Sequence, residues 1–400
     1  MSKTADLAIL VVAAGRGSRA GPGVPKQYRP LAGRPLIAWT LSTLLKAAPR
    51  ARLKAVIHPD DLSAYQRALA GLAKADIGRL LPPTFGGEMR QGSVRLGLEA
   101  LAQEDPPQIV LIHDGARPFA SAELLARACA AAARHGAAVP GLELTDTVKQ
   151  VNEAARIVAT PPRAALRTVQ TPQAFAFDLI LAAHRKAAQA GQNGLTDDAA
   201  IAEWAGHDVY IFEGERDNMK ITSVEDFARA EEKLLAELPD VCTGQGFDVH
   251  AFGAGDHVWL GGVKIAHDRA LLGHSDADVV LHAITDAILG AISDGDIGSH
   301  FPPSDPRWRG AASSIFLAAA VEKLRARGGM LAHIDAMIIC ERPKIGAYRD
   351  SIRARIAEIA DISIDRVAVK ATTSERLGYI GREEGIAAMA IATVRLPLGD

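Results

Sequence analysis

Three cysteines (Cys129, Cys242, Cys340) in 400 residues are too few for a disulfide scaffold or for a zinc site built of thiolates alone. Long apolar runs are missing as well. The run Leu7–Ala14 falls far short of the roughly 20 residues that span a bilayer. It is followed by Gly-Arg-Gly-Ser-Arg instead of a small-residue cleavage site, so no signal peptide is expected. Net charge is nearly absent: 45 Lys+Arg against 47 Asp+Glu leave −2, which argues against a globally basic nucleic-acid binder. No repeat of solenoid period is visible. What the chain does have is 48% hydrophobic and 23% charged residues, enough to bury a core, and length for two domains at about 100–200 residues each. The expectation is a soluble, cytoplasmic protein.

Histidine divides the chain. Five lie before residue 240 and seven after it. A charged helical pattern over Ser223–Leu238 is stopped by Pro239-Asp240, which places the domains at 1–238 and 239–400. In the first, apolar runs at Leu7–Ala14, Ala55–His58, Ile109–His113 and Gly136–Pro140 alternate with helical patterns at Leu36–Lys46, Gln91–Ala102 and Ala122–Arg134. Such alternation predicts an α/β domain with a mostly parallel sheet and helices on both faces. The second reads as α+β. Strands are expected near Gly244–Val249 and over Ala336–Cys340, Arg366–Ala371 and Gly385–Leu396, with helices at Asp276–Ser293, Ser313–Arg327 and Tyr348–Ala360.

Two local absences are more telling. Between Asp6 and Asp60 there is no carboxylate, while nine cations occur: Arg16, Arg19, Lys26, Arg29, Arg34, Lys46, Arg50, Arg52 and Lys54. This stretch holds the turn Gly15-Arg16-Gly17-Ser18-Arg19-Ala20 directly after the first strand, a weak G-x-G-x-x-A phosphate cradle. The cations suit a ligand with several negative charges, such as a triphosphate; the acid that would hold a nicotinamide cofactor's ribose is missing, and without Gly-Lys-Ser/Thr this is not a Walker loop. From Ala270 to Pro306 the situation reverses: no Lys or Arg, but six Asp and three His. Asp248 and His250, two apart on a strand, point to one face. Asp278, His282 and Asp286 follow at helical spacing after a cap at Ser275. Asp248, His250 and His282 together suit a divalent metal with one coordination position open, as in catalytic zinc.

The first half resembles the 2-C-methyl-D-erythritol 4-phosphate cytidylyltransferases. The resemblance rests on Ala-Ala-Gly15-x-Gly17-x-Arg19, Pro25-Lys26-Gln27-Tyr28, Gly86-Gly87-x-x-Arg90-x-x-Ser93, and His113-Asp114-x-Ala116-Arg117-Pro118. Thr171-Pro172-Gln173, Thr196-Asp197-Asp198 and Asp217-Asn218-x-Lys220 complete it. It implies a Rossmann-like nucleotidyltransferase domain that uses CTP and Mg²⁺ (or Mn²⁺). Arg19, Lys26, Arg163 and Lys220 would be catalytic. Gly15, Gly17, Arg90, Ser93, Asp114, Arg117, Asp146, Thr147 and Thr171 would contact substrates.

The second half resembles the 2-C-methyl-D-erythritol 2,4-cyclodiphosphate synthases. The matching segments are Gly246-Phe247-Asp248-Val249-His250, His274-Ser275-Asp276 with His282, Gly295-Asp296-Ile297-Gly298, Lys370-Ala371-Thr372-Thr373 with Glu375, and Gly381-Arg382. It implies zinc, or another divalent cation, on Asp248, His250 and His282, a second cation at Glu375, and catalysis by His274 and Thr373. Asp296 would hold the ribose, and the Cys340–Lys344 segment the cytosine. Ser275, Gly298, Phe301, Asp305, Lys344, Thr372, Glu375, Tyr379 and Arg382 would also contact substrate. The resemblance further implies a homotrimer with sites shared between copies. Pro303, where an acid is more usual, and Tyr379, where Phe is, depart from its pattern. The competing readings are a dehydrogenase joined to a zinc hydrolase, and a nucleotide- and metal-sensing protein without turnover.

Overall fold

The computed structural model describes residues 6–16, 24–70, 72 and 74–398. The chain forms two compact units, Met1–Ala230 and Glu231–Asp400. Among the described residues no helix is long and apolar enough to cross a membrane.

In the first unit the unbroken apolar run becomes β1 (Leu7–Ala13), buried on both faces as an interior parallel strand must be. Then come α1 (Leu36–Ala47), β2 (Arg52–Ile57), β3 (Leu80–Phe85), α2 (Arg90–Glu104), β4 (Ile109–Asp114) and α3 (Ala122–His135). After α3 follow β5 (Ala137–Glu143), β6 (Arg167–Val169), β7 (Gln173–Ala176), α4 (Phe177–Gln189), α5 (Asp198–Ala205), β8 (Tyr210–Glu213) and α6 (Val224–Ala236). Local chemistry sets several ends. Ser121 Oγ accepts the Leu124 N–H at the start of α3, and Gly136, at φ +80, stops it.

The eight strands order β6-β5-β7-β4-β1-β2-β3, with β8 beside β5. Pairing is parallel across β4, β1, β2 and β3. Strand β7 runs antiparallel between β4 and β5, an insertion that its four residues gave no pattern to predict. Side chains of β1 alternate between two cores. Ile9 and Val11 join α1 and α3 on one face, while Ala8 and Leu10 join α2 and α4 on the other. The carboxyl end of β4, beside β1, is where an open sheet of this kind places ligands.

The second unit is a five-stranded mixed sheet with helices on one face. Its elements are β9 (Asp240–Gly253), β10 (Ala270–Leu271), α7 (Val279–Ala291), α8 (Ser314–Ala326), β11 (Met330–Ile339), α9 (Arg349–Ala360), β12 (Val367–Thr372) and β13 (Gly385–Leu396). The strand order is β10-β9-β13-β11-β12. Helix α7 is apolar nearly all round and buried, and it lies directly on β9. Two glycines allow this. A Cβ on Gly246 would stand 2.0 Å from the Ala283 carbonyl oxygen, and one on Gly244 would stand 2.1 Å from that of Ala287.

The expected cap of α7 is corrected. Asp278, not Ser275, is the N-cap; its carboxylate accepts the Val280 and Leu281 N–H groups at 3.1 Å and those of Gly261 and Gly262 at 2.8 and 2.6 Å. Asp278 is therefore committed to backbone and drops out of the polar stripe with His282.

Replacing Gly246 by Ala forces α7 off the sheet. We expect a loss of about 1–3 kcal/mol or more, seen as a lowered unfolding midpoint of the second unit in urea. An unchanged midpoint would contradict direct helix-on-strand packing.

Candidate active sites

A cleft of about 270 Å³ opens at the carboxyl ends of β1 and β4, lined in part by Ala14, Gly15, Lys26, Gly87, Arg90, Ser93, Asp114 and Lys220. Gln27, almost fully buried, shapes its rim: its amide donates to the carbonyls of Ala13 (2.8 Å) and Gly15 (3.1 Å). Lys26 Nζ donates to the Ile221 carbonyl at 2.7 Å. Across the cleft Gly86 passes so close to Ala14 that a Cβ would lie 2.5 Å from the alanine's own. Ser93 Oγ sits beside the Gly87 and Met89 carbonyls.

Charge is arranged as an alternating row. Lys220 Nζ is 2.6 Å from Asp114 Oδ2, Arg90 is 3.5 Å from Asp114 Oδ1, and Arg90 Nη2 is 2.8 Å from Asp198 Oδ2. The row ends at His184, whose Nε2 meets the other Asp198 oxygen at 3.1 Å. Asp198 and His184 are wholly buried. Burial alone would push the Asp114 carboxyl up, but Arg90, Lys220 and Arg117 hold it well below the usual carboxylate range. Asp114 thus stays ionised, and a fixed ammonium faces the cleft beside it.

In the second unit the alternation of β9 puts Gly244, Gly246, Asp248 and His250 on the face under α7. Once the glycines admit the helix, His282 meets the strand. Its Nδ1 lies 2.9 Å from Asp248 Oδ2 and 3.2 Å from His250 Nε2. His250 Nε2 is 3.0 Å from that same oxygen. One oxygen and two nitrogens converge as a cation's donor set, and among the described residues this is the group of ligating side chains with metal-site spacing. Burial opposes ionisation of Asp248, yet the two imidazoles hold its carboxyl well below the usual range.

Comparison with known proteins matches both units. The family model for 2-C-methyl-D-erythritol 4-phosphate cytidylyltransferase covers residues 7–236, and the YgbB family model covers 241–395. A relative from Rhodopseudomonas palustris (strain BisB18), named Bifunctional enzyme IspD/IspF, is 58% identical over 399 residues, 100% of this chain and 98% of its own. The chain belongs to the bifunctional IspD/IspF enzymes. A second member, from Nitrobacter hamburgensis, is 58% identical over 98% of this chain and 96% of its own. Among solved structures, bifunctional IspDF from Campylobacter jejuni is 29% identical over 98% of each chain, with a TM-score of 0.46.

Within this IspD/IspF frame the expected residues sort by position. Gly15, Lys26, Arg90, Ser93, Asp114 and Lys220 line one cleft, and Thr171 Oγ1 accepts the Asp114 N–H at 3.0 Å just behind it. Gly17 and Arg19 lie outside the described residues. Arg117 is buried with its Nη1 on the Asn218 carbonyl at 2.6 Å, which anchors the loop bearing Lys220. Asp146 and Thr147 follow β5 on an exposed arm; Arg163, on the same arm, donates to the Thr145 carbonyl at 2.5 Å, and none of the three lines the cleft. The basic stretch is corrected too: of its described members only Lys26 lines the cleft. Arg16 pairs with Asp60 and Asp61, Arg52 with Asp6 and Asp105, and Lys54 with Glu104. Their partners come from outside the carboxylate-free segment, where a local reading does not look.

In the second unit, Thr372 ends β12, and Thr373 Oγ1 donates to Glu375 Oε1 at 2.9 Å. Glu375 and Arg376 both have positive φ, +54 and +62, and Glu341 holds this strained turn by accepting the N–H groups of Ser374 and Arg376, each at 3.1 Å. In the sequence Glu341 has no role beyond membership of the Cys340–Lys344 segment and Asp198 none beyond the Thr196-Asp197-Asp198 motif, and His184 was not singled out. Phe301 packs on Trp308 and Phe316, Asp305 caps the turn at Arg307, and Arg382 pairs with Glu384. Asp296 accepts the Ser299 N–H, Tyr379 is exposed, and Gly298, Lys344 and His274 lie in loops or short turns. Ser275 Oγ lies 3.1 Å from His282 Nε2.

His113, adjacent to Asp114, is fully buried between the Arg117 carbonyl and Thr171 Oγ1, and burial pushes its pKa down from 6.5 to about 4. The folded chain keeps it neutral where an unfolded histidine takes up a proton. Its contribution is therefore complete above about pH 6.5 and is lost as pH falls toward 4, about 3 kcal/mol in all. Urea titrations of the first unit's transition across that window should show this slope, flattened in His113→Gln. Equal slopes would contradict the assignment.

Proposed function

We propose that the two units catalyse two reactions of one biosynthetic route. In the first, residues 1–238, a phosphate oxygen of 2-C-methyl-D-erythritol 4-phosphate attacks the α-phosphorus of CTP. A P–O bond forms there, the bond to pyrophosphate breaks, and 4-diphosphocytidyl-2-C-methylerythritol results. In the second, residues 239–400, the 2-phosphate of the 2-phosphorylated product attacks the β-phosphorus. CMP leaves, and the ring of 2-C-methyl-D-erythritol 2,4-cyclodiphosphate closes. The observation that carries this reading is the contrast between the two strand ends: fixed cations in a phosphate-sized cleft at one, three converging lone pairs at the other.

In the first reaction the backbone around Gly15 and Gly87 and the hydroxyl of Ser93 would hold CTP. Lys26 and Lys220, with Arg19, would stabilise the charge that builds on the α-phosphate, since phosphoryl chemistry needs positioning and neutralisation more than covalent help. Asp114 fixes Lys220 in place. Mg²⁺, which binds chiefly to substrate phosphates, fits a cleft whose wall carries Glu88 and Asp114.

In the second, the one-oxygen, two-nitrogen donor set fits zinc; Asp248, His250 and His282 would hold it, and it would act as Lewis acid and template. Glu375 would hold a second divalent cation, Thr373 and His274 would stabilise the transition state, Asp296 would hold the ribose, and Cys340–Lys344 would flank the cytosine. The sheet supports a shared site. Register puts Thr372 at the same end of the sheet as His250, but β9 and β12 stand three strand spacings apart, about 14 Å. The outer sheet face carries exposed Phe247, Val249, Met389 and Ile391, an apolar surface for association. A homotrimer, or a multiple of three, would cover that face and bring one copy's metal residues to another's Thr373–Glu375 turn. A cytoplasmic setting would suit a chain with only three cysteines, none of them in a disulfide.

Incubation with CTP, Mg²⁺ and methylerythritol phosphate should release pyrophosphate, with Lys26→Ala slower by roughly 10²–10³-fold. No release above that variant would overturn the first assignment. Sedimentation should find a trimer or a multiple of three; a strict monomer would overturn the shared second site.

A further inference from the structure

Asp276 and Ser313 belong to no part of the site described so far. His282 turns Nδ1 toward Asp248 and His250; its other nitrogen, Nε2, lies 2.8 Å from Ser313 Oγ and 3.1 Å from Ser275 Oγ. Ser313 is completely buried at the start of α8. Its Oγ is hydrogen-bonded to Asp276 Oδ1, and its N–H donates to Asp276 Oδ2 at 3.1 Å.

What each group can do fixes the direction of the protons. A carboxylate only accepts, so the Ser313 hydroxyl hydrogen goes to Asp276. Ser313 Oγ is then left to accept from the ring, and His282 carries its hydrogen on Nε2. A neutral imidazole has one such hydrogen, so with it on Nε2 the Nδ1 lone pair is available to a cation seated beside Asp248. His250 is set in the same way, because its Nδ1 faces the Leu272 carbonyl at 2.7 Å, another pure acceptor. With a cation among the three side chains, both rings would offer it a lone pair.

We propose that Asp276 and Ser313 are positioning residues for the metal centre, which hold His282 in the tautomer and orientation a divalent cation needs and so set the affinity of the site. The proposal rests on the zinc reading above. With the row broken, His282 is free to place its hydrogen on Nδ1, where it blocks the donor set. Loss of such supporting partners typically weakens metal binding 10–100-fold.

The test is the zinc dissociation constant of the full chain, stripped of metal and titrated with zinc against a chelating dye. Asp276→Asn, in which an amide N–H₂ replaces one of two acceptors, and Ser313→Ala should each bind zinc at least tenfold more weakly, while Ser313→Thr, which keeps the hydroxyl, should bind within a few-fold of the parent. A general structural role would not distinguish Ala from Thr at 313 in this way. Should Ser313→Ala fail to fold, Asp276→Asn, at a partly exposed position, carries the test. A parent that binds tightly together with folded variants that bind as tightly overturns this proposal alone. A parent that binds no zinc overturns the zinc reading, and this proposal with it.

Discussion

A carboxylate drawn out of water at the end of a strand must be answered, and the two units answer theirs in opposite ways. Asp114 at the end of β4 is met by Arg90 and Lys220, and Arg90 is itself held by the wholly buried Asp198. Removing Arg90 would leave two carboxylates under-compensated, a change that typically costs several kcal/mol. Asp248 on β9 is met by two imidazoles, which can turn lone pairs to a cation where Arg and Lys cannot. The first arrangement arrives with its cations installed and suits anionic substrates. The second is short of positive charge and suits a metal ion.

Each arrangement depends on backbone approaches that side chains would forbid. Gly86 brings the start of α2 against the turn after β1, and Gly244 and Gly246 let α7 rest on β9. One face of β9 therefore reads as two glycines that admit the helix, followed by two ligands that meet the helix's histidine. The same alternation turns Phe247 and Val249 outward, so the metal residues and the associating surface are set by one strand. Ordering Asp248, His250 and His282 is in this sense a packing consequence before it is a chemical one.

Much of this was legible in the sequence because its signals are local. Continuous apolar runs marked β1 and β4, the i, i+2 spacing marked Asp248 and His250, and helical apolar periodicity marked α7. Readings failed where partners come from far along the chain. Arg16, Arg52 and Lys54 counted toward a cationic stretch suited to phosphates, but Asp60, Asp61, Asp105 and Glu104 pair with them. Asp278 looked like part of a polar stripe with His282 and Asp286, but the turn at Gly261 and Gly262 and the first N–H groups of α7 take its carboxylate. Asp198 sits in the Thr196-Asp197-Asp198 motif and Glu341 in the Cys340–Lys344 segment without a role of their own there, and Ser313 belongs to no motif; only their distant partners reveal a task. Asp146, Thr147 and Arg163 stand on an arm whose place relative to the cleft no local pattern encodes.

The central claim is that each activity resides at its own strand end, in one chain. It is tested most directly by crossing two variants against two assays. Lys220→Ala should depress pyrophosphate release from CTP and methylerythritol phosphate by at least a hundredfold while leaving CMP release from the 2-phosphorylated diphosphocytidyl substrate at the parent rate. His282→Ala should do the reverse. If either substitution lowered both rates equally in a folded protein, the assignment of one reaction to each strand end would be wrong.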